Sequence, residues 1–266
     1  MSSTPWLTVI TVVKDATADF TRTAESLASQ DLTGIEYVIV DSSDDRTAVP
    51  LALAAIPALT STSVHWVEPA GIYAAMNYGL SLARGEYSYF ANAGDALFSN
   101  STLARVRKTL VGADSSFGDA AWAFGPVEIL SQDGTRVITP TWDYASEKST
   151  CFSTGHFPCH QGTFASTSVL RSFGGFDASF SIVADYVAFL QLSQVSDPVE
   201  LNFVVATFAE GGVSTIRWQE SFRQFHAARL SILRPSGSVA IRERWNTASH
   251  YARVFLVRKI LRRGRA

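Results

Sequence analysis

The chain has 266 residues, of which 47% are hydrophobic and 17% are charged, so it can bury a large core and disorder is not expected. Six basic residues and no acidic residue lie in the last sixteen positions, which leaves 16 basic and 24 acidic residues elsewhere. The body of the chain therefore has a net charge of −8, which argues against nucleic-acid binding.

Three sequence features bear on the compartment. The first five residues are polar and contain no apolar signal core, and no apolar run approaches the roughly 18 residues that span a bilayer. Cys151 and Cys159 are too few for a disulfide scaffold. We therefore expect a cytoplasmic protein, with a peripheral position on the inner face of the plasma membrane as a further possibility.

The first hundred residues alternate between strand and helix patterns. Leu7–Val13 is a continuous β-branched and apolar run, typical of a strand that is buried on both faces. Phe20, Ala24 and Leu27 recur at helical spacing up to Gln30. The pattern then predicts strands at 35–40, 63–67 and 87–91 and helices at 48–55 and 72–83. Such alternation predicts an α/β fold with a doubly wound, mostly parallel, Rossmann-like sheet.

The second half is less regular. Residues 122–130 and 135–138 flank Gln132-Asp133-Gly134 and predict a hairpin. Strands are predicted at 163–165 and 201–207, and helices at 168–173 and 183–194. From residue 219 onward the pattern is helical and is interrupted at Pro235-Ser236-Gly237. We therefore predict one catalytic domain at 1–216 and a C-terminal helical appendage at 217–266.

The segment Asn92-Ala93-Gly94-Asp95 follows a predicted strand and is a candidate metal site. The carboxyl ends of parallel strands face the ligand crevice, and a hard divalent cation prefers oxygen ligands. Ala93 and Gly94 leave room for phosphates around the Asp95 carboxylate. The alternative is an ordinary strand-end turn.

Three motifs resemble those of a known family. The sequence GIYAAMNYGL at 71–80, followed by GEYSYFANAGD at 85–95, resembles the "GIYDAMNKG…ATGE…FLNSGD" block of the family-2 glycosyltransferases with the GT-A fold. HFPCHQG at 156–162 resembles that family's "P-x-C-H-Q-x-T-F" segment. GGFD at 174–177, with IVADY at 182–186, resembles "GGFDE…IAADYDLLLR". The resemblance spans roughly residues 7–214.

The resemblance implies a GT-A fold and an inverting hexosyltransferase that moves a sugar from a nucleotide diphosphate sugar to a polysaccharide or lipid-linked acceptor. It implies that Asp185 is the general base, that Asp95 holds Mg²⁺ or Mn²⁺ with the diphosphate, and that His160 and Gln161 lie on the acceptor side. The residues that it places on the donor side are Val13, Asp41, Tyr73, Asn77, Asn92 and Ala93.

Each of these roles has a structural alternative. Asp41 is equally typical of a helix cap or a solvated loop, and Asp185 of a helix N-cap. His160 is as typical of a buried, hydrogen-bonded histidine as of a cleft residue. A zinc site from Cys151, His156, Cys159 and His160 is disfavoured because no paired C-x2-C element is present.

Two departures from the family pattern leave a second function open. Ala70 and Ala74 stand in the segment where the family carries aspartates, and one residue of that segment is missing. A sugar- or nucleotide-binding pseudoenzyme of the same fold is therefore the alternative. Nucleotide-sugar synthesis and dinucleotide oxidoreduction are disfavoured, because no glycine-rich loop follows the first strand at Val13-Lys14-Asp15-Ala16.

The C-terminal tail from Trp245 to Ala266 combines apolar residues on one broad helical face with basic residues opposite. Its apolar members are Tyr251, Val254, Phe255, Val257, Ile260 and Leu261. One interpretation is a helix that docks on the core. The other is an interfacial helix on an anionic membrane surface, since each basic residue near such a surface contributes about 1 kcal/mol.

Overall fold

The structure is a computed structural model that describes residues 4–59, 62–111, 120–141, 143–148, 150–154, 157–211 and 216–263, with side chains as far as residue 256. The strands are β1 (Leu7–Val13), β2 (Ile35–Asp41), β3 (Val64–Trp66), β4 (Tyr87–Phe90), β5 (Ala96–Leu97), β6 (Trp122–Phe124), β7 (Val127–Leu130), β8 (Arg136–Ile138), β9 (Thr163–Ser166), β10 (Val199–Glu200) and β11 (Ala206–Ala209). The helices are α1 (Thr17–Ala28), α2 (Ala48–Ala54), α3 (Ile72–Leu82), α4 (Thr102–Val111), α5 (Tyr144–Glu147), α6 (Cys151–Thr154), α7 (Thr167–Ser172), α8 (Ala184–Leu192), α9 (Trp218–Leu233) and α10 (Gly237–Arg263).

The central sheet has seven strands in the order β10-β6-β9-β4-β1-β2-β3. β9 pairs antiparallel with both of its neighbours, and the other pairs in this sheet are parallel. The carboxyl ends of β1, β2, β4, β6 and β10 therefore lie on one edge. A second sheet, in the order β5-β11-β7-β8, adjoins it. The predicted doubly wound, mostly parallel α/β fold is confirmed.

Strand β1 shows how the apolar runs of the sequence build a core on both faces of the sheet. Ile10 and Val12 pack into one hydrophobic cluster, which also contains Met76 of α3 and Phe90. Leu7, Val9 and Val13 pack into a second cluster with α1 and α4. A strand covered on both sides needs apolar residues at successive positions, which explains the continuous run in the sequence.

Two predicted strands are wrong because the chain changes sheets within them. The strand predicted at 122–130 is split at Gly125-Pro126 into β6, in the large sheet, and β7, in the small one. Pro126 has no N–H to donate to a ladder, and a Cβ on Gly125 would lie 2.8 Å from the Val205 side chain. The strand predicted at 201–207 covers the same crossing between β10 and β11, and only its last residues, Ala206 and Thr207, belong to a strand. The predicted hairpin between β7 and β8 is present.

The C-terminal helices α9 and α10 match the predicted helical region and its interruption before Gly237. They pack on α8 and α6. A buried network ties them down: the Arg229 guanidinium donates to Glu243 Oε1 at 2.6 Å, to the Tyr186 hydroxyl at 2.9 Å and to the Phe152 carbonyl at 3.0 Å. Within the described part of the chain, none of the helices has the length and apolar character needed to cross a bilayer.

Candidate active site

Three side chains from distant parts of the sequence meet at the carboxyl edge of the central sheet. Asp95 follows β4, His160 precedes β9, and Asp185 lies in α8. His160 Nε2 is 3.8 Å from Asp95 Oδ2, and His160 Nδ1 is 3.4 Å from Asp185 Oδ2. The imidazole therefore lies between two carboxylates, with Nδ1 toward Asp185 and Nε2 toward Asp95 and the side-chain amide of Asn92, which is 3.1 Å away. The structure brings together the predicted metal ligand, the predicted base and a predicted acceptor-side residue.

A tight turn after β4 fixes the Asp95 carboxyl. Its Oδ2 accepts a hydrogen bond from the Asn92 backbone N–H at 3.0 Å, and its own N–H donates to the Asn92 carbonyl at 2.9 Å. Gly94 takes a φ of 105° in this turn, which a residue with a side chain rarely adopts. Burial raises the pKa of Asp95 to about 6, even though the His160 charge and hydrogen bonds from Asn92 and Gln161 favour the anion.

His160 begins a 3₁₀ turn, His160–Gly162, that leads into β9. The Gln161 carbonyl in this turn accepts a hydrogen bond from the Tyr89 hydroxyl at 2.8 Å, which anchors the turn to β4. Burial lowers the pKa of His160, but its hydrogen bond to Asp185 and the charges of Asp95 and Asp185 outweigh burial and raise that pKa overall. Opposite charges on both sides thus favour the imidazolium form.

Asp185 lies in the first turn of α8 and not at its N-cap, which is Val183 and makes no side-chain cap hydrogen bond. The N-cap alternative for Asp185 is therefore wrong. Its Oδ1 accepts from the Tyr186 backbone N–H at 2.9 Å and lies 3.2 Å from the Tyr73 hydroxyl, which also contacts the Ile182 carbonyl at 2.8 Å. With His160 on Oδ2, both carboxylate oxygens have partners, and the side chain is still 26% exposed to the cleft.

The residues at the end of β4 fit a hard divalent cation. Asn92 Oδ1 is buried and accepts no hydrogen bond from the described residues, while Asn92 Nδ2 lies 3.1 Å from His160 Nε2. Asn92 and Asp95 thus offer an amide and a carboxylate oxygen, the ligand types that Mg²⁺ and Mn²⁺ prefer. In the part of the chain that is described, no group of three or more His, Cys, Asp or Glu side chains is arranged to hold a metal by itself. Substrate phosphates would have to complete such a shell.

The zinc arrangement considered from the sequence gains no support. Cys151 and Cys159 are both free thiols, and Cys151 is buried. Burial is the main cause that raises the pKa of each to about 12, so the thiolate that zinc requires is disfavoured. His156 lies outside the described residues.

A second group of polar and aromatic side chains lies at the ends of β2 and β3. Asp41 is 1% exposed, so the solvated-loop alternative is wrong. Its Oδ1 accepts from the Ser43 N–H at 2.9 Å, while its buried Oδ2 accepts no hydrogen bond from the described residues. Trp66 pairs with Asp41 in the sheet, donates from its indole N–H to the Ser43 carbonyl, and carries the Arg46 guanidinium 3.4 Å above its ring. The sequence analysis did not single out Trp66 or Arg46, although Trp66 ends a strand on the ligand edge.

The remaining predicted donor-side residues occupy two places. The Val13 carbonyl accepts from the Ser42 N–H at 2.9 Å, and the Ala93 N–H donates to the Val12 carbonyl at 3.2 Å, so Val13 and Ala93 lie where β1, β2 and β4 end. The Asn77 amide instead engages the backbone of Phe176, with distances of 2.8 and 2.7 Å. Its visible contact is with the Gly-Gly-Phe turn before α8, and its donor-side role stays a prediction.

Arg22 is a candidate site residue that the sequence analysis missed. It extends from α1, and its Nη2 donates to the Gly94 carbonyl at 2.6 Å and lies 3.5 Å from Asp19. Its charge favours the anionic form of Asp95. The side chain is 49% exposed, so a cation lies at the mouth of the turn that holds Asp95. A single arginine within an amphipathic helix gave no signal for this position.

Comparison with known proteins identifies the relatives of this chain. The family model described as glycosyl transferase family 2 matches residues 8–164. An uncharacterized glycosyltransferase of Mycobacterium tuberculosis strain H37Rv is 28% identical over 221 residues, which are 82% of this chain and 80% of the relative. A protein named PGL/p-HBAD biosynthesis glycosyltransferase, from Mycobacterium bovis strain AF2122/97, is 26% identical over 220 residues, 79% of each chain.

Solved structures support the fold. The S. aureus TarS structure aligns with a TM-score of 0.62 and 19% identity, covering 85% of this chain and 40% of the TarS chain. A shorter TarS structure, residues 1–349, was solved in complex with UDP-GlcNAc. The mannosyltransferase PcManGT from Pyrobaculum calidifontis, in complex with GDP-Man and Mn²⁺, aligns with a TM-score of 0.63 and 17% identity, covering 94% of this chain and 74% of that one. These likenesses show a shared fold of the GT-A type.

Proposed function

Because the chain belongs to glycosyl transferase family 2, we propose that it is an inverting glycosyltransferase of the hexosyltransferase type. It moves a sugar from a nucleotide diphosphate sugar to a polysaccharide or lipid-linked acceptor. The observation that carries this proposal is the Asp95–His160–Asp185 cluster at the ligand edge of the sheet. The printed names of the relatives, which include PGL/p-HBAD biosynthesis, favour a glycan or glycolipid of the cell envelope as the product.

In this proposal Asp185 is the general base. An acceptor hydroxyl attacks the anomeric carbon from the face opposite the diphosphate, the new C–O bond forms as the bond to the diphosphate oxygen breaks, and the hydroxyl proton passes to the Asp185 carboxylate. The partial exposure of Asp185 supports this role, since a base must reach the acceptor. Tyr73 and His160, one on each oxygen, hold the carboxylate in a fixed orientation.

Asp95 and Asn92 are the proposed holders of Mg²⁺ or Mn²⁺ together with the donor diphosphate. When bound, such a cation supplies Lewis-acid stabilisation of the negative charge that develops on the departing diphosphate. The buried Asn92 Oδ1 without a hydrogen-bond partner supports this assignment. Arg22, at the mouth of the same turn, is placed to offset further phosphate charge.

The donor nucleotide is proposed to lie between the β4 turn and the end of β2. Asp41 would accept a hydrogen bond from the nucleobase or ribose on its unused Oδ2, and the Trp66–Arg46 pair would form an adjacent wall. The backbone of Val13 and Ala93 would contact the donor between the β4 turn and the end of β2. Asn77 and Tyr73 complete the proposed donor side, Asn77 through the turn that it anchors. His160 and Gln161 are proposed to face the acceptor.

A binding-only pseudoenzyme is the second candidate, and the alanines at positions 70 and 74 are the observation that favours it. Ala70 is exposed and Ala74 is half-buried, so neither is needed to fill the core. A family member that has lost carboxylates near the donor could keep nucleotide binding without sugar transfer.

A donor panel decides between the two functions. Purified chain is incubated with UDP-, GDP- and dTDP-linked hexoses with and without Mn²⁺, and both nucleotide binding and release of nucleoside diphosphate are measured. A transferase hydrolyses its donor slowly in the absence of acceptor, and Asp185→Asn abolishes that release while binding persists. Metal-dependent binding with no release from any donor would instead establish the pseudoenzyme. An absence of binding to all donors would contradict both functions.

We also propose that the basic C-terminal tail holds the protein at an anionic membrane surface, on the inner face of the plasma membrane, where lipid-linked acceptors lie. Tyr251 docks inward on Trp218, with ring centroids 5.3 Å apart, whereas Phe255 is 44% and Leu256 56% exposed. Farther back on α10, Ile241 and Trp245 are 71% and 70% exposed at a spacing of one helical turn. Exposed apolar residues beside a basic segment favour an interfacial helix.

Truncation after Leu256 tests the membrane proposal without removing the contacts of Tyr251. The full chain should sediment with phosphatidylglycerol vesicles at low salt and be released near 1 M salt, where the screening length is about 3 Å. The truncated chain should remain folded and stay in the supernatant, and phosphatidylcholine vesicles serve as the control. A full chain that ignores anionic vesicles at low salt would contradict the proposal.

A further inference from the structure

A cavity of about 380 Å³ opens beside the Asp95–His160–Asp185 cluster. It lies where the chain crosses between the two sheets, between the ends of β6, β8 and β10 and the segment before His160. Apolar side chains form much of its wall, among them Phe124, Pro126, Phe157, Pro158 and Leu201. A cavity of this size holds a small organic group, and an apolar wall favours an apolar occupant.

The topology places this cavity on the acceptor half of the cleft. β6 and β10 run parallel to β4, so their carboxyl ends lie on the same edge as Asp95. The candidate nucleotide residues Asp41 and Trp66 lie on the other side of β4, at the ends of β2 and β3. The cluster therefore separates a nucleotide half from the half that contains the cavity.

Cys159 connects the cavity to the cluster. It lines the cavity wall and immediately precedes His160 in the chain. His160 in turn lies 3.4 Å from Asp185 and 3.8 Å from Asp95, measured between its ring nitrogens and the carboxylate oxygens. The cavity wall is therefore continuous along the chain with the residue that contacts the proposed base, Asp185.

The charges of the wall restrict the occupant further. Glu147 and Glu200 line the cavity, and the described residues around it include no lysine or arginine. Glu200 already accepts a hydrogen bond from the Tyr144 N–H at 2.9 Å, which fixes its carboxylate at the wall. A phosphate or diphosphate would be repelled here, because like charges in a partly buried site oppose each other strongly.

We propose that this cavity binds the uncharged, apolar aglycone of the acceptor. The sugar attached to that aglycone then places one of its hydroxyl groups against Asp185. This inference rests on the proposed transferase function and narrows its acceptor class. The acceptor is a neutral glycolipid or glycoside with an apolar aglycone, and not a lipid whose sugar is linked through a diphosphate.

Binding of matched glycosides, measured without any donor, tests the proposal. Hexyl and methyl β-glycosides of glucose, galactose, mannose and rhamnose are titrated into the full chain by ligand-observed NMR, with hexyl phosphate as the anionic probe. Each buried methylene contributes about fourfold in affinity. Partial burial of a hexyl chain should therefore give at least about a tenfold preference over the methyl glycoside for one or more of the sugars.

Variants locate the binding. Asn202 is exposed and lines the cavity, so Asn202→Trp should fill its mouth and reduce the hexyl preference to about twofold or less. Thr141→Trp, also exposed and on the wall, is the second blocking variant in case the first misfolds. Thr135→Trp, in the exposed turn between β7 and β8, is the matched control and should keep the full preference.

Several outcomes would overturn the proposal: no binding by any glycoside, equal binding of hexyl and methyl partners, a preference that survives both blocking variants, or hexyl phosphate binding as tightly as the glycosides. The donor panel is independent of these measurements. A chain that hydrolyses a donor but shows no hexyl preference refutes the cavity assignment alone. A chain with the hexyl preference but no donor binding refutes the transferase function and leaves the cavity as a glycoside-binding site without an acceptor role.

Discussion

Burial of Asp95 should make the unliganded protein less stable as the pH rises. Its pKa is about 6 in the native state against 3.8 ordinarily, so the native state binds a proton more tightly than the unfolded chain does. Stability then falls as the pH rises from about 4 to about 6 and stays lower above that range. The pKa of His160 is also raised, which adds a loss in the same direction as the pH passes above 6.5.

The magnitude follows from the pKa difference. A change from 3.8 to about 6 corresponds to about 3 kcal/mol of unfolding free energy that Asp95 removes near pH 7. Asp95→Asn keeps the shape and removes the charge, so it should stabilise the apo protein by up to that amount. In a chain of this size each kcal/mol raises Tm by about 2–4 °C. The turn itself should survive, because an amide oxygen can still accept from the Asn92 N–H.

The assay is thermal unfolding between pH 4 and 8 in the presence of a chelator, repeated with Mn²⁺ and nucleoside diphosphate. Other carboxyls with lowered pKa values, such as Glu36, stabilise the protein as the pH rises, so the difference between the two proteins isolates Asp95: the Tm of Asp95→Asn should rise relative to that of the wild type from pH 4 to 6. Ligand at 100 times its Kd adds about 2.7 kcal/mol of stability to a chain that binds it. The wild type should gain this stabilisation and the variant should lose most of it.

Asp177→Asn is the matched control, because Asp177 is exposed and its carboxylate accepts only from the nearby Ser179 N–H among the contacts described. It should leave both the pH profile and the metal response unchanged. A Tm difference between Asp95→Asn and the wild type that does not grow from pH 4 to 6, or a variant that is less stable than the wild type at pH 7, would refute the reasoning. Equal stabilisation of both proteins by Mn²⁺ and nucleotide would refute the metal assignment.

Three further predictions follow from the same contacts. Asp185→Asn should lower kcat by about 10²–10⁴-fold with nucleotide affinity unchanged, and calorimetric binding beside a rate assay would expose a merely structural role. His160→Gln removes a charge that lowers the pKa of Asp95, so the acidic limb of the kcat/KM profile should move to higher pH; an unmoved limb would contradict the bridging role. Arg229→Met removes the guanidinium from the buried Glu243, which keeps only contacts with His226 and the Thr247 hydroxyl, so it should cost up to about 3–5 kcal/mol in denaturant unfolding, and adding Glu243→Gln should restore much of it.

The sequence predicted the parallel half of the fold because a strand that is buried on both faces requires apolar residues at successive positions. Every residue of Leu7–Val13 is buried, and an uninterrupted apolar and β-branched run is what such a strand requires. The two crossings between the sheets have a weaker signal in the sequence. The stretch 122–130 looks like one strand apart from Pro126, and the contact of Gly125 with the Val205 side chain adds a reason for the break that only the structure shows. Short helices such as α5 and α6 have too few residues to show a period.

The sequence singled out most of the candidate site residues one by one, but not their arrangement. Asp95 and Asp185 follow recognisable motifs, and each was assigned alone. His160 lies between them because β9 runs antiparallel beside β4 and so begins at the edge where β4 ends. The antiparallel direction of β9 depends on its pairing with strands that are distant in the chain, and the local sequence does not predict it. Likewise, only the structure shows that Asp41 Oδ2 and Asn92 Oδ1 are buried and accept no hydrogen bond from the described residues.

The C-terminal helices contribute to the site through α8. Residues of α8 are buried on nearly all sides, and such a helix needs apolar partners on the face turned away from the sheet. Phe225 of α9 supplies one, with its ring centroid 4.5 Å from that of Tyr186. Tyr186 also accepts the Arg229 hydrogen bond and is the next residue after Asp185. The predicted boundary at residue 216 therefore falls just before the helices that pack against the first turn of α8. We expect a chain truncated at residue 216 to lose the orientation of Asp185 toward His160 and Tyr73.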